Sequence, residues 1–439
     1  MPIRLRRIIP VLALIIVACS PEHDQEGLDS YFESFLSRQN RQLTDVIVAD
    51  IFTPPVASRI YAYSNVAAYE GMSLADSALP SLAGRLNGLK PLPKPNKSKD
   101  YYYPLVSATA FSRTAKSLVY NLEKVEAVQY SITEKVLEIG IDEEIYSNSI
   151  ALGEKIGEHI LKWAAEDGYL RRTALPRYSV KDDPSRWSPT PPDYADAIEP
   201  HWNTLRPFVM DSVGQFDPGL PTEFDTSKDS QFFKEALEVY ETVAKKDSTQ
   251  LEIAKFWDCN PNISYTQGHV MYFKQQISPG GHWVHITAQI LEDEKSDNVY
   301  AAVSFAKVSV AIADAFISCW DQKYKSKLVR PETYINKYID RDWIPVLQTP
   351  AFPEHTSGHS VASSAAATVL TDIFGDNYAF VDATETPYGL PVRSYQSFYK
   401  AAEEAAISRL YGGIHYKPAI ELGVLQGKQV GNLILRRLN

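Results

Sequence analysis

From Val299 to Trp320 the chain is apolar almost without interruption, a run too long for a strand and therefore a central buried helix. A helix enclosed on all sides needs other helices around it, and the rest of the sequence supplies them. Apolar or small residues recur at 145, 149, 152, 156, 160 and 163, the three/four spacing of one buried helical face. Phe232, Phe233, Ala236, Leu237, Tyr240 and Val243 repeat that spacing over 232–244. Residues 360–374, 396–411 and 420–438 continue the pattern to the C-terminus. No sustained period-2 alternation is visible, so the expected fold class is all-α, built of helical bundles. Two stretches fall outside it. Residues 89–99 hold three prolines, and 171–228 are rich in Pro, Asp and Ser, with a run at Ser188-Pro189-Thr190-Pro191-Pro192 that cannot be helix interior. A loop region that long in a compact protein is functional or wraps another part of the molecule.

Charge narrows the function. A net charge of -10 over 439 residues excludes nucleic acid as an expected partner, because backbone phosphate binding needs a basic face. Local clusters of Lys and Arg therefore carry more information here than in a basic protein. The N-terminus reads as a targeting segment: Arg4, Arg6 and Arg7 precede an apolar run over 8–18, too short to span a bilayer. That run ends Ile16-Val17-Ala18-Cys19, which resembles a bacterial lipobox; an ordinary secretory signal ending near a cysteine is the alternative. The expectation is a signal peptide over 1–19 with Cys19 lipidated, then a polar tether over 20–28. The chain would be exported and membrane-anchored, on the periplasmic side or the cell surface. Cys259 and Cys319 remain; an exported protein can pair them, but Cys319 in its apolar stretch reads as a buried free thiol.

Three C-terminal segments carry chemistry. In Trp320-Asp321-Gln322-Lys323 through Arg330-Pro331, Lys323 and Arg330 are seven apart and share a helix face to within about 20°. Two such cations aimed together grip a tetrahedral oxyanion through charge-assisted bonds, although basic residues near a helix C-terminus also simply answer its dipole. Next, Phe352-Pro353-Glu354-His355-Thr356-Ser357-Gly358-His359 leads into a small-residue helix. A Ser-Gly-His turn entering a helix offers backbone N–H groups, a hydroxyl and a general acid or base. An N-cap beside a structural histidine has the same sequence. His355 and His359 also sit four apart, but the zincin metal pattern needs Glu where Thr356 stands. In the third segment, Arg409 and His415 lie six apart across Gly412-Gly413, which lets the backbone bend closely around a site.

Taken together, K-x6-RP, SGH and SR-x5-H, in this order, resemble the signature of the type 2 phosphatidic acid phosphatase (PAP2) and vanadium-dependent haloperoxidase superfamily. The resemblance covers 320–416 directly. Weaker similarity at Pro54-Pro55-Val56-Ala57-Ser58-Arg59 and Ser278-Pro279-Gly280-Gly281-His282-Trp283 points to its large, soluble, bacterial haloperoxidase-like branch. It implies a single mainly α domain over 29–439, with an N-terminal helical half (29–295) and a catalytic half (296–439). It further implies that Lys323, Arg330, Ser357, Gly358 and Arg409 hold the oxygens of vanadate or phosphate. His415 would bond vanadium or attack phosphorus, and His359 would act as acid or base opposite it. One site serves both chemistries because five-coordinate vanadate resembles the phosphoryl-transfer transition state.

Choosing between them rests on neighbours. Trp320 and Phe352 match positions that resemble chloride-oxidising haloperoxidases, where an aromatic wall excludes water; two aromatics beside a buried site are equally plain core. The family often has an acid four residues after the axial histidine, where this chain has Ala419, and Glu421 lies too far round a helix to replace it. That absence tilts the reading from phosphohistidine chemistry toward vanadate. The leading expectation is an enzyme oxidising halide with hydrogen peroxide, with vanadate as cofactor. The alternatives are a phosphomonoesterase and a non-catalytic oxyanion-binding lipoprotein. His282 and His285, three apart, lack an evident third metal ligand, and with His159, His201 and His269 they read as structural.

Overall fold

The computed structural model describes residues 24–261 and 263–439. The signal-peptide and Cys19 expectations lie outside the described residues. The tether expectation partly does not: Gln25–Phe32 is a helix and Leu28 is fully buried, so the folded body begins before residue 29.

Helices dominate. The apolar run becomes the helix Asn298–Ser326, capped by the Asp297 side chain at the Tyr300 N–H and buried along nearly its whole length. It is long and apolar enough to cross a membrane, yet 89% of its most apolar window lies inside the protein. It is the central strut of a core. On one side it packs against Pro54–Met72, on the other against Gly358–Phe374, and one apolar cluster runs through residues of both halves of the chain. Pro54–Met72 is buried on all faces, which explains its run of small side chains and its weak amphipathic pattern.

The expected helices form close to their predicted limits: Glu143–Ala165, Gln231–Ala244, Gly358–Phe374, Phe398–Tyr411 and Lys417–Leu438. Two short antiparallel hairpins, Ser264–Gln267 with Val270–Phe273 and Phe380–Asp382 with Arg393–Tyr395, have strands of three or four residues, too short to leave an alternation in the sequence.

The long loop region wraps the C-terminal half, as expected. The Trp187 N–H donates to the Lys327 carbonyl at 2.7 Å, and the Ile198 N–H to the Ala351 carbonyl at 2.8 Å. The Ile198 carbonyl accepts from Trp320 Nε1 and from the Tyr324 hydroxyl. Residues 187–198 are thereby tied to the first signature segment and to the residue just before the second.

One packing contact positions the site. Gly423, Gly427 and Gly431 recur at four-residue spacing on Lys417–Leu438 and face Gly358–Phe374. A Cβ at Gly427 would lie 2.2 Å from the Val361 carbonyl oxygen, and one at Gly423 only 3.1 Å from that of Ser357. The glycines let the last helix press its backbone onto the Ser-Gly-His turn.

Candidate active site

The three signature segments converge at the N-terminus of Gly358–Phe374. Ser357 is its N-cap, with the side chain accepting from the Ser360 N–H at 3.3 Å. Gly358 and His359 are its first residues, so their N–H groups have no acceptor within the helix. The turn is fixed from below, because the Ser357 N–H donates to the carbonyl of Ala419 at 3.0 Å. Above it opens a cleft of about 520 Å³, counting its mouth, lined by Gly358, His359, Arg409, His415, Trp320 and Phe352 among others.

Lys323 and Arg330 lie fully buried against the Phe352 ring of that cleft, 4.8 and 4.9 Å from its centre. Lys323 sits in the last turn of the central helix, and Arg330 is the residue just before Pro331–Tyr338. They therefore do not share one helix: the chain turns at Lys327, and the two meet through tertiary packing. Lys323 Nζ donates to the carbonyls of Pro353, Glu354 and Thr356 at 3.0, 3.1 and 2.5 Å. It clamps the segment leading into the Ser-Gly-His turn, and an oxyanion that takes a proton donor from it replaces one of those carbonyls. Burial, with Arg330 adding to it, pushes Lys323 down to about 7. Arg330 Nε donates to the Phe352 carbonyl and Nη1 to that of Ile414, both at 2.8 Å. Its Nη2 is buried with no partner. Arg409 Nε donates to the Ser408 hydroxyl, and its Nη2 to the Trp257 carbonyl.

His415 shows what orients it. Its Nδ1 lies 2.8 Å from Glu354 Oε1, which also accepts the Tyr416 N–H at 2.9 Å. Its Nε2 lies 3.1 Å from Arg330 Nη1. These bonds assign the neutral tautomer with the proton on Nδ1 and the lone pair on Nε2. Burial, reinforced by Arg330 and Lys323, holds His415 well below the usual histidine range. Glu354 supplies the carboxylate that Ala419 does not. It lies three residues before Ser357 in the same segment, and only the folded loop brings it under His415. Glu421 is exposed and plays no part. The tilt away from phosphohistidine chemistry drawn from Ala419 therefore loses its basis.

His359 lies across the cleft. Burial and the adjacent Arg409 hold it well below the usual range, it bonds the Trp257 main chain, and its Nε2 has no partner. Trp320 and Phe352 form the aromatic wall, with ring centroids 4.9 Å apart and Lys323 Nζ 4.8 Å from the centre of the Phe352 ring.

One solved structure settles the kinship. A bacterial vanadium-dependent iodoperoxidase superposes with a TM-score of 0.86 at 46% identity, over 94% of this chain and 96% of that one. The chain belongs to the vanadium-dependent haloperoxidases. It is accordingly an enzyme. A family profile, the VCPO second helical-bundle domain, matches residues 303–439, which hold all three signature segments. The holo form of a bacterial vanadium-dependent chloroperoxidase shares the fold, with a TM-score of 0.66 over 89% of this chain and 93% of that one, at 14% identity. No curated protein matches the sequence.

Measured against this enzyme's structure, the remaining sequence expectations sort readily. His355 precedes the helix, so its four-residue spacing from His359 is not a helical one; its Nε2 contacts the Gly219 carbonyl at 3.2 Å. Cys259 and Cys319 are buried free thiols. His159 and His201 contact main-chain carbonyls, as structural histidines do. His282 departs from expectation: the fold surrounds it with Cys259, Asp382 and Glu385. Its neighbour His285 joins no such group among the described residues.

Proposed function

We propose that this enzyme binds vanadate in the cleft above Gly358 and oxidises halide with hydrogen peroxide, iodide being the first halide to test. The observation that carries the reading is His415, whose proton is held on Nδ1 by Glu354 so that Nε2 keeps its lone pair, which here accepts from Arg330 Nη1. The 46%-identical bacterial iodoperoxidase supports both the chemistry and the halide.

The residues present fit a tetrahedral oxyanion. Arg330 Nη2 and His359 Nε2 are buried donor or acceptor atoms with no partner, and Gly358, whose N–H leads its helix, lines the cleft with His359. Lys323, Arg330 and Arg409 outweigh the nearby carboxylates of Glu354 and Asp258. The buried Asp258 carboxyl is pushed up to about 6, against the pull of Arg409. Vanadate would be held by Lys323, Arg330, Ser357, Gly358, Arg409 and His415, and would supply the Lewis acidity that activates peroxide. The chain's own groups do the rest. Arg330 and Arg409 neutralise the anion, His359 holds or releases the peroxide proton at Nε2, and Trp320 with Phe352 limits water.

A phosphomonoesterase is the second reading, because a Glu354-oriented His415 is also what an attacking histidine requires. Orthovanadate separates the two. Halide oxidation that needs vanadate supports the first; aryl phosphate hydrolysis that vanadate inhibits supports the second. From its N-terminal sequence, we also propose that the chain is exported and anchored by a lipid on Cys19. Metabolic labelling with a fatty acid, lost in Cys19→Ala, tests this.

A further inference from the structure

A second cluster of side chains borders the cleft beside the oxyanion residues. Cys259 follows the helix Ser248–Phe256, His282 lies in the first turn of Pro279–Asp293, and Glu385 comes from the connection between Phe380–Asp382 and Arg393–Tyr395. Their sulfur, ring nitrogen and carboxylate oxygen all lie within 4.8 Å of one another, and all three residues are buried. His282 Nδ1 is 3.4 Å from Cys259 Sγ and 3.2 Å from Glu385 Oε1. Its Nε2 is 2.8 Å from Asp382 Oδ2. Asp382 is itself fixed by the Thr384 N–H and hydroxyl. The Trp257 ring stacks on the imidazole at 4.5 Å.

A buried imidazolium flanked by carboxylates forms an ion pair without help, but that arrangement leaves a group over. Nδ1 has one proton at most and two partners, Cys259 Sγ and Glu385 Oε1, so it cannot hydrogen-bond both in full. A carboxylate oxygen, a thiol and an imidazole nitrogen thus face one point. On the far side of the ring, the Nε2–carboxylate bond is the arrangement that fixes a metal-ligating histidine and raises its basicity. The two separations from His282 Nδ1, 3.4 and 3.2 Å, are close to those around an ion. Ligand bonds of about 2.0–2.3 Å in a tetrahedral zinc site set the ligands roughly 3.3–3.8 Å apart.

We infer that Cys259, His282 and Glu385 form a binding site for a zinc-like divalent cation, with Asp382 orienting His282. A thiolate–imidazole–carboxylate set selects such an ion over calcium or magnesium, which take all-oxygen ligands. Binding replaces the Nδ1 proton and the thiol proton, so two protons leave as the ion enters. Cys259 also lines the oxyanion cleft together with His359 and Arg409, which gives the ion an access route. Because the Trp257 carbonyl holds Arg409 Nη2, an ion on Cys259 fixes the wall segment that positions that arginine.

The test is titration of the chelator-treated full chain with cobalt(II) alone, followed in the near-ultraviolet and visible. One equivalent is expected, with thiolate-to-cobalt absorption, tetrahedral visible bands and displacement by zinc. Cys259→Ser should abolish the thiolate band, and Asp382→Asn should weaken binding roughly 10–100-fold while keeping the band. A wild-type chain that binds no cobalt at micromolar concentration, or a thiolate band that survives in Cys259→Ser, overturns the inference. The wild-type titration needs no variant to fold. Vanadate-dependent activity is measured separately, so the two readings fail independently.

Discussion

At the residue scale, the decisive pair is Glu354 and His415. A neutral imidazole offers its Nε2 lone pair only when Nδ1–H has an acceptor, and Glu354 Oε1 is that acceptor at 2.8 Å. Glu354→Gln keeps the shape and removes the charge. We expect a drop in vanadate affinity of roughly 10–100-fold, the usual effect of losing a carboxylate behind a ligating histidine. Near-native thermal stability should accompany it, read by equilibrium dialysis and circular dichroism. Affinity unchanged in Glu354→Gln would show that the carboxylate does not act through His415. Arg409→Ala should likewise weaken vanadate binding sharply. The site residues were legible in sequence because their chemistry is tied to fixed local spacings: Ser357, Gly358 and His359 are consecutive, and Arg409 and His415 bracket a glycine pair. Glu354 was in view in the same segment but could not be given a role. Its partner is 61 positions away, and a carboxylate beside a motif carries no directional signal until the loop is folded. Cys259, Asp382 and Glu385 were missed around His282 for the same reason.

At the element scale, helices with one buried face announced themselves through three/four periodicity, and the central helix through its length. The hairpins did not, since three or four residues hold too little alternation to read. Helix-to-helix distance was also invisible. Gly423, Gly427 and Gly431 appear in sequence as helix-weakening residues, and only the structure shows their hydrogens pressed against the backbone of Gly358–Phe374. Gly427→Ala places a methyl group 2.2 Å from the Val361 carbonyl oxygen, so the two helices must separate. The expected cost is about 1–3 kcal/mol of stability, as for other overpacked cores, measured by denaturant unfolding. Oxyanion affinity should fall as well, because the Ala419 carbonyl that holds the Ser357 N–H moves with the helix. A fall in stability with unchanged affinity would uncouple this packing from the site.

At the scale of the whole molecule, a chain of net charge -10 concentrates Lys323, Arg330 and Arg409 around one buried turn. Burial holds Lys323 down to about 7 when folded, against about 10.5 when unfolded, and loss of that proton gives up one of its three carbonyl bonds. Between those values the unfolded chain binds the proton and the folded one does not, so this group makes the anion-free protein more stable as pH rises through that window. An oxyanion beside Lys323 raises its proton affinity, so binding at pH 8 should take up a proton. Calorimetry in two buffers of different ionisation heat reads this, and Lys323→Gln should remove the uptake. Uptake unaffected by that substitution would place the proton on the anion or another group. The central claim remains that these residues make a vanadate-dependent halide oxidiser. Its most direct test is triiodide formation from iodide and hydrogen peroxide by the purified protein, before and after incubation with vanadate, in wild type and His415→Ala. The structure predicts activity that appears only with vanadate and is lost in the variant. No oxidation by vanadate-treated wild type, or oxidation that survives in His415→Ala, would contradict it.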